Sequence, residues 1–297
     1  MRSADGALVI DIIVIGFLLG GAYALMALGL QLQYGVARIM NLANGEMLVA
    51  GGFGAFWFYT ALKVSPFLSI LLTVPLAFVA NWAIYRVLLL PLVRRAKSRG
   101  RLEVDSILAT FGFAFILVGL MLALFGGKYF NYAYLEEPFT ILDRRFGLNK
   151  LAAFMGSAVL CAGLAYWLTR TRTGLSLRAV AVNPTTAGLV GINVARASAL
   201  AFAVGGAVTV AGGALLSMFL TLDASTGVLF TMKALVIVIM GGVGEIRGAI
   251  VAAFILGFAE TAVASLIDPG LTLAAAYLLF LLVLLFRPQG LFGRRSS

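Results

Sequence analysis

Long apolar stretches alternate with short polar segments along the whole chain. A helix that crosses the hydrocarbon core of a membrane needs about 20 largely apolar residues. Nine stretches are candidates, and the one at residues 228–240 is too short to cross unaided. They are residues 8–30, 46–62, 67–90, 106–125, 151–168, 197–220, 228–240, 249–267 and 271–286. We predict an all-α, polytopic membrane bundle of about eight transmembrane helices plus broken or re-entrant segments, in one domain over residues 1–297.

The composition supports a membrane protein. Apolar residues make up 62% of the chain and charged residues 11%, whereas a soluble globular domain carries about 25% charged residues. Barrel strands would alternate apolar and polar residues, and runs such as 274–286 do not alternate. We do not expect the first apolar run to be a cleaved signal peptide. Arg2 is a weak basic start for one, and no small-residue cleavage site follows the run, so we expect the run to be retained as a span.

The charged connecting segments predict an orientation, because Lys and Arg collect on the cytoplasmic side of a membrane. Segments 91–104, 170–196 and 287–297 are strongly basic, with Glu103 as their one acid. Their basic residues are Arg94, Arg95, Lys97, Arg99, Arg101, Arg170, Arg172, Arg178, Arg196, Arg287, Arg294 and Arg295. The connection 126–150 mixes four basic residues with three acids, which suits the outer face. The net charge of +10 therefore indicates cytoplasmic loops, and we expect no nucleic-acid partner.

Counting spans leaves one point open. The parity after residue 91 works if residues 228–240 cross with help from the glycine-rich segment 241–248. Three spans before residue 91 would place residue 1 outside, whereas an extra half-crossing through residues 31–45 would place it inside. Both arrangements fit the sequence.

Several kinds of chemistry are excluded. The chain has no histidine and one cysteine, Cys161, so it cannot build Ser-His-Asp or Cys-His triads, histidine zinc sites or a disulfide framework. The segment MGGVGEIRG at 240–248 is rich in glycine but lacks the Gly-Lys-Ser/Thr ending of a phosphate-binding loop. We expect no ATP hydrolysis by this chain, no cofactor and no enzyme activity.

Two polar features fall among the apolar stretches. The segment QLQYGVARIMNLANGE at 31–46 interrupts two of them, and such sequence is tolerated at membrane depth where it lines a cavity or is buried in protein. Asn41, Asn44 and Glu46 are therefore candidates for a translocation path; the alternative is an ordinary loop at the membrane surface.

The second feature is Glu260, which lies well inside the stretch 249–267. An ionisable residue there is costly enough to be a functional hypothesis by default. Leu256 and Ala264 stand four residues to either side, so its own helix offers no cation. Glu260 either faces a wet path, as a fourth path candidate, or is neutral and hydrogen-bonded, which we favour. We interpret Lys233 as a residue near a helix end whose amine reaches the membrane interface.

The basic segment 169–196 differs from its neighbours in composition. We expect Thr173-Gly174 to end the preceding helix, and Asn183-Pro184 to stop a short helix over 175–182. Leu175, Ala179 and Val182 would share one face of that helix, Thr185 or Thr186 would cap the next turn, and Gly188 or Gly191 would end it. Two amphipathic helices rimmed by arginine would form a docking surface for a partner; the alternative is a helix pair attracted to anionic membrane lipid.

This segment resembles the cytoplasmic segment of the branched-chain amino acid ABC transporter permeases, whose pattern T-x-x-G-x-x-x-R-A, N, A-x-x-x-G-I-N contacts the ATP-binding subunit. The matching residues are Thr171, Gly174, Arg178, Ala179, Asn183, Ala187, Gly191, Ile192 and Asn193. The family's opening is matched by Tyr34, Gly35, Ile39, Asn41, Ala43, Gly45 and Glu46, with Asn44 where many relatives have His. The family's glycine segment and ending are matched by Gly241, Gly242, Gly244, Arg287, Pro288, Gly290, Leu291 and Phe292.

The resemblance implies half of the translocation pathway of an importer in the bacterial inner membrane. The implied partners are a second permease, two ATP-binding cassette subunits and a periplasmic binding protein. The residues it implies for coupling to the ATPase are Gly174, Arg178, Ala179, Asn183, Ala187, Gly191 and Ile192. The substrate stays open between branched-chain or related amino acids and urea or short amides. An ATP-independent secondary transporter or channel is the other alternative; it would need coupling-ion ligands and often shows inverted repeats.

Overall fold

The computed structural model describes residues 2–96, 98–135, 137–141 and 144–293, and the described part is mainly helical. The elements are α1 Arg2–Ala37, α2 Asn44–Leu62, α3 Pro66–Ile84, a π-helical turn Tyr85–Leu89, α4 Leu90–Arg95, α5 Arg99–Phe125, strands β1 Pro138–Ile141 and β2 Arg144–Gly147, α6 Leu148–Arg170, α7 Arg172–Val182, α8 Pro184–Leu189, α9 Val194–Leu216, α10 Gly227–Gly241, α11 Ile246–Leu266, a 3₁₀ turn Pro269–Leu271 and α12 Thr272–Phe286. The strands pair antiparallel as one small hairpin.

Seven helical spans in this part of the chain are long and apolar enough to cross a membrane. They are Val9–Ala37, Pro66–Arg95, Gly100–Phe125, Leu148–Arg170, Val194–Leu216, Ile246–Leu266 and Pro269–Phe286. The two remaining predicted stretches are helical as well, as α2 and the shorter α10. The prediction of a polytopic helical membrane bundle is confirmed.

Hydrogen bonds between segments identify the two ends of the helical bundle. At one end of the bundle, the Arg38 Nη2 atom donates to the Ala181 carbonyl at 2.7 Å and the Gln31 Nε2 atom donates to the Gly242 carbonyl at 2.9 Å. These bonds join the end of α1 to α7 and to the α10–α11 turn. We call this the basic end, because the arginine-rich segment 170–196 lies there.

The other end of the bundle carries the segment 126–147 and is called the connection end. There the Tyr59 hydroxyl of α2 donates to the Ala133 carbonyl at 2.8 Å, and the Tyr132 and Ser217 hydroxyls lie 2.9 Å apart. Of the charged residues used above for orientation, Lys97, Glu136, Asp143, Arg294 and Arg295 lie outside the described residues.

The first helix settles the parity that the sequence left open. Residues 31–37 continue α1 as helix, so the expected interruption is confined to residues 38–43 and contains no additional half-crossing. The expectation that the break starts at Gln31 was wrong, because Gln31 and Gln33 bond their amides to backbone carbonyls of other segments and stay within the helix. Three helices, α1, α2 and α3, lie before residue 91, and because α1 ends at the basic end, residue 9 lies towards the connection end.

The short helix α10 does not cross the bundle alone. The crossing is completed by the segment that precedes α10 and not by the segment that follows it. The preceding segment 217–226 reaches the connection end, where Leu222 and Phe130 exchange two backbone hydrogen bonds of 2.8 and 3.1 Å. The prediction that residues 241–248 complete the crossing of residues 228–240 was wrong. That segment is a tight turn in which Gly242 and Gly244 have φ angles of +103° and +86°, a conformation that suits glycine.

Helix α9 occupies the centre of the bundle and packs closely through its small residues. A Cβ atom on Gly213 would overlap the Leu48 carbonyl oxygen of α2, and one on Gly205 would lie 2.5 Å from the Gly29 carbonyl oxygen of α1. Small residues let helix backbones approach in this way in membranes. The contacts fix α1 and α2 against α9, and thereby position the polar residues that follow.

We expect Gly213→Ala to destabilise the bundle, because its added methyl group would force α2 away from α9. Overpacking of this kind costs about 1–3 kcal/mol. Gly212→Ala is the matched control, since its Cβ would make an ordinary 3.5 Å contact with Leu25. The measurement is the midpoint temperature of unfolding in detergent; equal midpoints for the two variants would contradict the expectation.

Candidate functional site

The basic segment begins with a helix cap that the sequence analysis placed incorrectly. Helix α6 ends at Arg170, and the Thr171 Oγ1 atom accepts a hydrogen bond of 3.1 Å from the Gly174 backbone N–H. The break therefore lies at Thr171, whose backbone is extended, and not at Thr173-Gly174. Gly174 lies inside α7, where a Cβ atom would come within 2.5 Å of the Leu168 Cα atom. Gly174 lets α7 fold back closely on α6.

The turn between α7 and α8 is capped by Asn183. Its Oδ1 atom accepts from the backbone N–H groups of Thr185 and Thr186 at 3.0 and 3.1 Å. The prediction that Thr185 or Thr186 is the cap was wrong, because the extended backbone of Asn183 already aims its amide at both donors.

Helix α8 continues through Gly188 and ends at Leu189, so of the two glycine ends that the sequence offered, Gly191 is the one that follows the helix. The Ile192 N–H donates to the Ala187 carbonyl and the Gly191 N–H donates to the Gly188 carbonyl, both at 3.1 Å. Gly191 has a φ angle of +85°. This is the Schellman type of helix ending, which favours glycine in the left-handed position.

We call the pair of helices α7 and α8 the elbow. One face of the elbow is covered by the bundle and the other face is exposed. Leu177 and Val180 of α7 are buried, whereas Leu175 and Val182 are exposed. Leu189 of α8 is 84% exposed, and Val190 after it is exposed as well. We call Leu175, Val182, Leu189 and Val190 the apolar elbow surface. Large exposed apolar groups beside exposed arginines are typical of a protein contact site.

The seven residues that the resemblance implies for coupling fall into two groups. Arg178, Asn183 and Gly191 are exposed. The other four, which are buried or half-buried, are Gly174, Ala179, Ala187 and Ile192. The family pattern thus contains residues that build the elbow as well as residues that present it. Sequence reasoning missed Leu189 and Val190, although two large apolar residues at the end of a polar six-residue helix were a visible signal.

A hydrogen bond ties the elbow to the interior of the bundle. Arg38 follows α1 with a left-handed backbone, φ +59°, and its guanidinium donates to the Ala181 carbonyl of α7 at 2.7 Å. The break at 38–43 that Arg38 begins leads directly into α2. The bond therefore joins α7 to the start of the break.

The break itself is buried, so the interpretation as a loop at the membrane surface was wrong. Asn41, Asn44 and Glu46 are each 1% exposed or less. Asn41 donates to the Gln33 Oε1 atom and Asn44 accepts from the Thr209 Oγ1 atom, both at 2.9 Å. Helix packing and these bonds hold the break inside the protein.

Glu46 differs from the two asparagines because it lines a cavity of about 70 Å³. The cavity lies between the break, α5 and α10, and its other lining residues include Leu42, Phe111, Phe115, Thr231 and Met232. Asn41 and Asn44 do not line this cavity, and neither does Glu260. The structure therefore separates the four predicted path residues into three environments.

Glu260 is paired with a cation, which neither alternative from the sequence anticipated. Its Oε2 atom lies 2.8 Å from the Lys233 Nζ atom of α10 and accepts from the Tyr23 hydroxyl of α1 at 2.7 Å. Lys233 also donates to the Tyr23 hydroxyl at 2.8 Å, and its side chain is 15% exposed. The interpretation that Lys233 reaches the interface was wrong, because Glu260 and Tyr23 hold its amine inside the bundle.

A family model decides between the remaining classes of membrane protein. The model for the branched-chain amino acid transport system permease component matches residues 12–287. The chain belongs to this permease family. It is a multi-pass membrane transport protein and not an enzyme, as the sequence predicted.

The permease is similar to relatives along nearly its whole length. It is 27% identical to the high-affinity branched-chain amino acid transport system permease protein LivH of Salmonella typhimurium, with 94% of each chain covered. It is 28% identical to BraD of Pseudomonas aeruginosa, a protein with the same description, again with 94% of each chain covered. A probable LivH of Methanocaldococcus jannaschii is 26% identical over 91% of the permease and 88% of the relative. No solved structure matches the permease.

Proposed function

We propose that the permease forms half of the translocation pathway of an ATP-binding cassette importer for branched-chain or related amino acids. The whole of residues 1–297 would act as one permease domain in a bacterial inner membrane. Its partners would be a second permease, two cassette subunits that hydrolyse ATP and a periplasmic binding protein. The observation that carries the proposal is the apolar elbow surface, with Leu189 84% exposed on a rigidly capped α7–α8 pair.

The charge of the basic end supports a cytosolic partner. Arg172, Arg178 and Arg196 are exposed around the elbow, and basic segments of membrane proteins lie on the cytoplasmic side. A membrane surface would also attract arginines. The capped elbow, with its buried Gly174 and Ala187, favours instead a fixed shape that a protein partner recognises.

The Arg38–Ala181 contact supports a route from this surface to the proposed transport path. In the proposal, the cassettes would move α7, the Arg38–Ala181 bond would pass the movement to the break, and Glu46 would change its exposure to the path. Coupling requires that the elbow bind its partner differently in the two states of the transporter. Asn41 and Asn44 would hold the break, while Glu260 would hold α10 against α11 and α1.

Co-purification of the permease in mild detergent tests the partners. We expect two cassette chains and a second permease to be retained, and membrane vesicles with the complete transporter and its binding protein to take up radiolabelled leucine only with ATP. Urea and acetamide are tested in parallel to decide the substrate class. Passive or ion-driven leucine flux in liposomes that contain the permease alone would contradict the proposal.

A further inference from the structure

We propose that Glu46 is the binding site for the ammonium group of an aliphatic solute, with the apolar wall of the adjoining cavity receiving the aliphatic chain. The inference rests on the proposed function, because it takes the cavity beside Glu46 as part of the translocation path. It names Glu46 as a contact within that path and the ammonium group as the part of the solute that Glu46 binds.

The position of Glu46 places the site within the membrane. Gly227 begins α10 directly beside it, since a Cβ atom on Gly227 would lie 2.9 Å from the Glu46 Cα atom. From there α10 runs 15 residues to the turn at the basic end, a length of about 22 Å. The hydrocarbon core is about 30 Å thick. Glu46 therefore lies well inside the core, where a carboxylate is retained only for a reason.

The side-chain donor described beside the Glu46 carboxylate is shared with a carbonyl. The Thr231 hydroxyl lies 3.4 Å from the Glu46 Oε2 atom but 3.1 Å from the Leu42 carbonyl oxygen. A hydroxyl has one proton to donate, so the nearer carbonyl competes for it. The Thr231 oxygen is itself an acceptor for the Gly45 N–H at 2.8 Å.

Among the described residues, no salt bridge pairs Glu46 with a cation. Lys233 lies two positions from Thr231 on α10, but its amine is bound to Glu260 and Tyr23 on another side of the helix. A buried carboxylate is stable when it is paired with a cation, and the missing partner of Glu46 would come from the solute.

The cavity has the shape and chemistry for such a partner. Its volume of about 70 Å³ holds a few water-sized groups, which suits an ammonium group and the first carbons beside it. The walls are apolar, with Phe111, Phe115 and Met232 leading outwards from Glu46. An aliphatic amine, or an aliphatic amino acid presented by its ammonium end, complements a carboxylate at the base of an apolar cavity.

The direct test measures ligand binding by the purified full-length permease through its thermal stability. A ligand that binds only the folded protein raises the unfolding midpoint. We expect 3-methylbutan-1-amine to raise the midpoint of the wild type and to have no effect on Glu46→Gln. The anion 3-methylbutanoate should leave the midpoint of the wild type unchanged. Glu137→Gln is the matched control, because Glu137 is exposed in the connection, and it should respond like the wild type.

A second pair of variants keeps the test informative if Glu46→Gln does not fold. Met232→Lys would place a tethered amine in the cavity beside Glu46, and Met232→Gln would place a neutral group of similar length there. The amine should still stabilise Met232→Gln, by less than the wild type because a polar group replaces part of the apolar wall, and should not stabilise Met232→Lys. An equal response of both variants, or no response of the wild type, would overturn the proposal.

The outcome is separable from the import proposal. ATP-driven leucine uptake by the complete transporter without an amine response would overturn the Glu46 site and leave the import function standing. An amine response confined to an intact Glu46, without leucine uptake, would overturn amino acid import and support the ammonium site.

Discussion

The double substitution Arg178→Glu with Leu189→Asp should abolish ATP-driven leucine uptake while the permease still accumulates in the membrane. Both side chains are exposed, and Leu189 is the most exposed residue of the apolar elbow surface. The loss of a central interface side chain costs about 2 kcal/mol or more, which is about 30-fold in affinity for each such residue. Two charges placed against the partner should separate the cassettes from the permease.

The measurements are uptake, retention of the cassettes in mild detergent and the amount of permease in the membrane. Leu135→Asp is the matched control, because Leu135 is exposed in the connection and has a φ angle of +50°, which Asp tolerates. This control should transport normally. Normal uptake by the double variant would exclude the elbow as the coupling surface.

The choice of exposed residues makes this test specific for docking. Gly191→Trp would also stop uptake, but Gly191 has a left-handed backbone and its replacement would strain the end of α8. Gly174 is similarly unsuitable, because an added side chain would meet the backbone of α6. Loss of uptake after either change would report a distorted elbow as readily as a lost contact.

The sequence predicted the features of the permease that depend on neighbouring residues in the chain. Apolar length located the helices, because each span must bury about 20 residues in lipid regardless of its partners. The pair Asn183-Pro184 marked the corner between α7 and α8, since proline has no backbone N–H with which to continue the hydrogen bonds of α7. These signals are local, and the structure retains them.

The errors arose where distant residues compete for the same groups. Residues Gln31 and Gln33 resemble the start of a loop, but carbonyls of other segments accept their amide hydrogens and the helix continues. Lys233 and Glu260 are 27 positions apart on different helices, so no periodicity within either helix brings them together. The cavity beside Glu46 likewise depends on how α5 and α10 meet the break.

The substitution Lys233→Met should lower the stability of the permease strongly, because it leaves the Glu260 carboxylate buried without its cation. Glu260 is 3% exposed, and its Oε1 atom has no hydrogen-bond partner among the described residues. Removal of one partner of a buried ion pair costs about 3–5 kcal/mol. The midpoint temperature of unfolding in detergent and the amount of folded permease in the membrane are the measurements.

The double variant Lys233→Met with Glu260→Met separates a loss of charge balance from a loss of packing. Replacement of both ions by apolar groups of similar size is often neutral or stabilising, so the double variant should recover most of the stability that the single variant loses. Tyr23→Phe should have a smaller effect than Lys233→Met, because it removes the two hydrogen bonds of the Tyr23 hydroxyl and leaves the Lys233–Glu260 contact of 2.8 Å. If the double variant were as unstable as Lys233→Met, the ion pair would matter for its shape and not for its charge balance. If Lys233→Met were as stable as the wild type, Glu260 would be neutral in the folded bundle, as the sequence alone had favoured.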